Sequence, residues 1–308
     1  MKFAFFQGCN IPVRIEQYAD STEAVLQTFG IELVRIPEFN CCGYPMRNVD
    51  EKAYIMPSVR NMAIAEKAGL DIVVICNCCF ASLQKARNVL ATDPALQEEF
   101  NTLLAKEGLA YHGTTRIRHY LTVLHEDVGI EAIRNRLVNT CKGLKLSVIH
   151  GCHILRPREV TQFDDSFVPR ITDEIVGVTG ATSLDWRGRM ECCGAALAGL
   201  NDELSRRLLQ EKITGARQAG ADCITPICSY CHLQFDTTQT NMATETPGTQ
   251  VLPVLLLPQL LGLCLGLDER RLGIARNRTI AASDIDHIKS LLGPPVEEKK
   301  KKVRQQAA

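Results

Sequence analysis

Lys2-Phe3-Ala4-Phe5-Phe6-Gln7-Gly8-Cys9 and Lys145-Leu146-Ser147-Val148-Ile149-His150-Gly151-Cys152 are one pattern written twice. Each is a short apolar run that ends in a polar residue, a glycine and a cysteine. An apolar run cut off by glycine predicts a buried strand whose carboxyl end delivers a thiol. The likeness continues outward from these two stretches. Cys41-Cys42-Gly43 is matched by Cys192-Cys193-Gly194. Ala68-Gly69-Leu70-Asp71 leads to Cys76-Asn77-Cys78-Cys79, and Ala219-Gly220-Ala221-Asp222 leads, with one extra residue, to Cys228-Ser229-Tyr230-Cys231. The intervals are 31 and 33 residues in the first set and 39 and 34 in the second. A repeat of this length and order predicts two homologous halves, 1–142 and 143–292, related by a pseudo-twofold axis, with a Lys-rich tail over 293–308.

Further strands are expected at 33–36, 72–75 and 223–227. Helical patterns at 54–68 and 204–219 each close on a glycine. Strands alternating with helices predict an α/β fold of two duplicated, Rossmann-like half-domains with parallel sheets. Cys9, Cys76, Cys152 and Cys228 then follow the carboxyl ends of strands, the edge where open α/β sheets bind ligands. Each CxxC falls near a helix N-terminus, whose partial positive charge favours thiolate over thiol.

The 308 residues balance 35 Lys and Arg against 35 Asp and Glu, which gives no electrostatic reason to expect nucleic acid or an anionic membrane as partner. No secretory signal opens the chain, and 251–267, the most apolar stretch, is shorter than a spanning helix and carries Pro253 and Pro258. It reads as a buried helix, and the protein is expected in the cytoplasm without a transmembrane segment. Fourteen cysteines in a reducing compartment point to metal ligands or redox groups rather than disulfides.

Five thiols per half exceed what tetrahedral zinc or a simple cubane takes, and adjacent cysteines diverge from a single ion. A cluster of several irons accommodates both. Zinc and a purely dithiol site remain rivals. So does a ferredoxin-type set of Cys223, Cys228 and Cys231 with Cys264, although Cys223 and Cys264 read as core. Neither GxGxxG nor a Walker loop is present, so flavin or nucleotide binding has no motif here and electrons must come from a partner.

These residues resemble the CCG-domain proteins, most of all the B subunit of heterodisulfide reductase, from about Met1 to Asp268. The resemblance rests on the two strand–glycine–cysteine stretches, both CCG triplets, His150-Gly151-Cys152-His153, Cys228 to Asp236 and the closing 256–267. It implies that Cys9, Cys41, Cys42, Cys76 and Cys79 hold one noncubane [4Fe–4S] cluster, and that Cys152, Cys192, Cys193, Cys228 and Cys231 hold the other. It implies reduction of a disulfide such as CoM-S-S-CoB to two thiols, as in methanogenesis. The expected partners are a C-type subunit with two cubane [4Fe–4S] clusters and a flavin-containing A-type subunit. The alternative is an electron-transfer CCG subunit, of a sulfur-metabolism or a lactate- or glycolate-oxidising complex, that never contacts substrate. Cys78 is extra to the family pattern and reads as a spare thiol or an alternative ligand. His153 and His232, each beside a cluster cysteine, are candidate proton donors. Arg14, Arg156 and Arg158 are candidates for binding an anionic substrate tail, whereas Cys141, Cys264 and Trp186 read as packing.

Overall fold

The structure, a computed structural model, describes residues 1–246 and 248–295. Most of the Lys-rich tail, from residue 296 on, lies outside the described residues. In the first half, β1 (Lys2–Phe6), β2 (Glu32–Val34), β3 (Asp71–Val74) and β4 (Ile117–His119) form a parallel sheet in the order β2-β1-β3-β4. Ala4, Phe5 and Phe6 of the central β1 are all buried. A strand covered on both faces requires such a near-continuous apolar run.

The second half repeats the order. After β5 (Thr140–Cys141), β6 (Lys145–Ile149) lies between β7 (Thr182–Ser183) and β8 (Cys223–Pro226), again parallel. Phe3 faces Asp71 in the first sheet and Leu146 faces Cys223 in the second. Counted back from the cysteines, these are equivalent positions, so the register is the same. The extra residue of the second copy is absorbed before β8, where Asp222 caps the sheet by accepting from Lys145 N at 2.8 Å. β9 (Leu292–Gly293) returns to pair antiparallel with β5. Two helices in each half flank the last of its cysteine-bearing strands: α1 (Glu51–Lys67) and α2 (Asn77–Thr92) around β3, α3 (Asp202–Gln218) and α4 (Ser229–Leu233) around β8.

The stretch 251–267 departs from the expected single helix. Only Leu257–Cys264 is helical, and Val254 instead bridges in parallel to Ile224 of β8, in the place that β4 takes in the first sheet. Pro258 sits in the first helical turn, where its missing N–H costs nothing; any earlier start would set its ring against a helical carbonyl. Among the described residues, no helix is long and apolar enough to cross a membrane.

Candidate functional site

Strand ends, CCG loops and helix starts bring the thiols of each half together. Gly8 and Gly151 hold φ of +70° and +77° between strand and cysteine. At Gly8 a Cβ would meet Cys79 Sγ at 2.7 Å, and at Gly151 it would meet Asn77 Nδ2 at 2.6 Å. Only glycine allows the chain to pass there. Cys76 is the N-cap of α2, and Cys228 is the N-cap of α4.

The CCG loops are held by the helices that follow them, α1 in the first half and α3 in the second. Gly43 and Gly194 have φ of +85° and +83°, and their Cβ positions lie 2.1 Å from Tyr54 O and 2.6 Å from Ser205 O. In the first half, Ser58 Oγ donates to Cys42 O at 2.7 Å, and buried Asn61 accepts from Asn40 N at 2.9 Å. In the second, Ser205 Oγ donates to Gly194 O at 2.9 Å, and buried Lys212 donates to Gly188 O and Glu191 O at 2.7 and 2.6 Å. Asn61 and Lys212 each stand eighteen residues after their CCG glycine.

All ten expected cysteines line one of two cavities. Cys9, Cys41, Cys42, Cys76 and Cys79 surround the first. Cys152, Cys192, Cys193, Cys228 and Cys231 surround the second, which is the larger. In each set the CxxC thiols and the second cysteine of the CCG triplet are buried, while the others reach solvent. Each cavity is therefore open on one side. Cys193 and Cys231 approach to 3.3 Å between sulfurs.

Crowding splits the thiols' proton affinities in the same way twice. Cys41 is held well below the usual thiol range because its thiolate accepts from Cys42 and Cys9. Cys192 is lowered likewise by Cys152 and Cys193. Cys42 and Cys193 are pushed up to about 12, first by contact with the neighbouring triplet thiol. Ready ionisation of one thiol in a packed set of five suits the holding of soft metal, since the thiolate is the ligand form.

The cavities share a wall, which sequence reasoning did not reveal. Tyr44, Cys78 and Tyr230 line both. The sulfurs of Cys76, Cys78 and Cys228 all lie within 4.8 Å of one another. Ser229 Oγ donates to Cys76 Sγ at 3.0 Å, and Asn77 Nδ2 donates to His150 O at 2.9 Å. The one signal available was positional: Tyr230 occupies in the second CxxC the place of Cys78 in the first.

His153 lines the second cavity, with Nε2 3.1 Å from Tyr44 Oη, and burial holds its pKa below the ordinary value. His232 is fully buried, 3.4 Å from Gln17 Nε2 and 3.7 Å from Asp236 Oδ2, and is not among the residues lining either cavity. Beyond His153 an open cavity continues past Cys152, lined by Arg47, Lys85 and Arg156 with Glu159 the one acid. Arg14 and Arg158 are exposed and are not among its lining residues. Cys141, Cys223 and Cys264 are buried away from both cavities, which removes the ferredoxin-type set. Trp186 packs against Gly188 and Gly215.

The profile of the cysteine-rich domain family, CCG, matches residues 3–84 and 146–236. The chain is 33% identical over 280 residues to the B subunit of the ferredoxin/F420H2-dependent CoB-CoM heterodisulfide reductase of Methanosarcina acetivorans, covering 90% of this chain and 93% of that one. It is 33% identical to a heterodisulfide reductase B-subunit-like protein of Archaeoglobus profundus, covering 88% and 93%. It is 31% identical to the membrane anchor subunit of the 8-methylmenaquinol:fumarate reductase of Wolinella succinogenes, covering 90% and 96%. A hypothetical protein from Helicobacter pylori has the same fold, with a TM-score of 0.73 and 14% identity; the match covers 92% of this chain and 52% of that structure. Matched in both halves and along nine tenths of its length, the chain belongs to the cysteine-rich CCG-domain family, together with heterodisulfide reductase B subunits.

Proposed function

We propose that the protein is the disulfide-reducing subunit of a heterodisulfide reductase-like complex and carries one noncubane [4Fe–4S] cluster in each half. The observation that supports this most is the pair of complete five-thiol sets, each open on one side and sharing a wall at Tyr44, Cys78 and Tyr230. Cys9, Cys41, Cys42, Cys76 and Cys79 would hold the first cluster; Cys152, Cys192, Cys193, Cys228 and Cys231 would hold the second. When bound, such clusters supply electrons and iron positions that take sulfur.

The chain's own residues then bind substrate and move protons. Reduction of RS–SR′ takes two electrons and two protons and releases RSH and R′SH. His153 and the Tyr44 hydroxyl, 3.1 Å apart at the second cavity, form a pair through which one of those protons can arrive. Arg47, Lys85 and Arg156 give the adjoining cavity a positive lining that suits a substrate with an acidic group. Electrons come from a C-type subunit with two cubane clusters, fed in turn by a flavin-containing A-type subunit.

The test is iron and acid-labile sulfide in anaerobically purified protein, beside Cys41→Ala and Cys193→Ala. The expected result is about eight irons per chain with about half lost in either variant, and reoxidation of the reduced protein by an added small disulfide. Zinc in place of iron overturns the reading. The similarity to a subunit named for menaquinol:fumarate reduction favours a second reading, a relay that never meets a disulfide. That reading holds if both clusters are present and added disulfides leave them reduced.

A further inference from the structure

We infer that Cys78 is a sixth thiolate ligand of the second half's iron–sulfur cluster, reaching it across the boundary between the halves. The inference rests on the cluster reading above but adds a ligand that the five-cysteine pattern does not contain. Residues three apart share one side of a helical turn, and a residue between them points elsewhere. Cys76 and Cys79 line the first cavity alone, whereas Cys78 also lines the second. Its sulfur is buried, lies within 4.8 Å of both Cys76 and Cys228, and lines the second cavity with all five of that half's thiols.

Space and residue size favour the second cavity as its destination. Where the first CCG triplet is followed by Tyr44 and Pro45, the second is followed by Ala195 and Ala196. The second cavity is the larger, and Tyr44 and Cys78 of the first half complete its wall. The reverse exchange brings Tyr230 but no thiol into the first cavity, so only the second half receives a thiol from its neighbour. Ligation forms one iron–sulfur bond and releases the Cys78 proton to solvent, with no change of oxidation state.

The test is Mössbauer spectroscopy of ⁵⁷Fe-reconstituted protein carrying Cys78→Ser. The substitution is placed in the wild type and in two backgrounds: Cys41→Ala, which keeps the second-half cluster, and Cys193→Ala, which keeps the first. Should either background fail to fold, the exposed thiols offer Cys9→Ser and Cys192→Ser in their place. The expected result is a shifted quadrupole doublet from the second-half cluster alone, with the first-half spectrum unchanged. Unchanged spectra in both backgrounds, or a change only in the first half, overturns the inference. Clusters that form and are oxidised by disulfide, yet ignore Cys78→Ser, sink this inference and spare the proposed function. A wild type without iron sinks both.

Discussion

His119, at the carboxyl end of β4, is wholly buried among Phe80, Tyr120 and Phe163, and its Nε2 has no partner among the described residues. Burial depresses its pKa from 6.5 to about 3. The unfolded chain therefore takes up a proton near pH 6.5, which the folded chain refuses until far lower. Stability present above pH 6.5 is lost as pH falls, at about 1.4 kcal/mol per unit. Buried His150 and His232 are depressed in the same sense, so we expect His119→Phe to reduce, not abolish, the slope in urea titrations between pH 6.5 and 5; an unaltered slope would show that His119 does not contribute. A similar contrast applies to glycine. Gly43→Ala should expel iron from the first half because Tyr54 O blocks its Cβ, whereas Gly30→Ala, at φ +71° with nothing nearby, should cost only about 1 kcal/mol and keep the iron. At this scale the sequence was most legible where chemistry dictates spacing, at the ten cysteines and the glycines before them. It was least legible at Cys78 and His232, whose roles depend on which way a helical turn points them.

Lys212 and Asn61 tie a helix to the loop that carries two thiols. The Lys212 ammonium is buried, and desolvation lowers its pKa, yet it donates to two carbonyls of the loop and so fastens them to α3. Lys212→Met keeps the stem's packing and strands those carbonyls, at a cost of about 2–3 kcal/mol. Iron should be lost from the second half only, and Asn61→Leu should mirror this in the first. Equal loss from both halves in either variant would contradict the one-helix, one-loop coupling. The strands that lead to cysteines were readable because their apolar runs end in glycine or cysteine. β4 and β7 were not: Ile117-Arg118-His119 and Thr182-Ser183 are too short and too polar to show periodicity, and sheet neighbours impose their extended form. Val254 joins the second sheet for the same reason, against the apolar pattern that suggested a longer helix.

The duplication, legible from sequence, does not by itself say how the halves meet, and the meeting is where the two sites become one unit. Cys76 receives a hydrogen bond from Ser229, Asn77 donates to His150 O, and a Cβ at Gly151 would strike Asn77. Removing one half would thus expose the buried CxxC of the other and take away Tyr230 or Tyr44 from its cavity. A fragment spanning 1–142 keeps all five thiols of the first set, so a site built from those thiols alone would bind iron as the full chain does. We expect instead that the fragment, reconstituted anaerobically, holds substantially less iron per thiol set than the full chain. Mixing it with a 143–295 fragment should restore the iron, because the shared wall forms only when both are present. Full loading of the isolated fragment would mean that the contact between halves serves electron transfer or substrate rather than assembly of the sites.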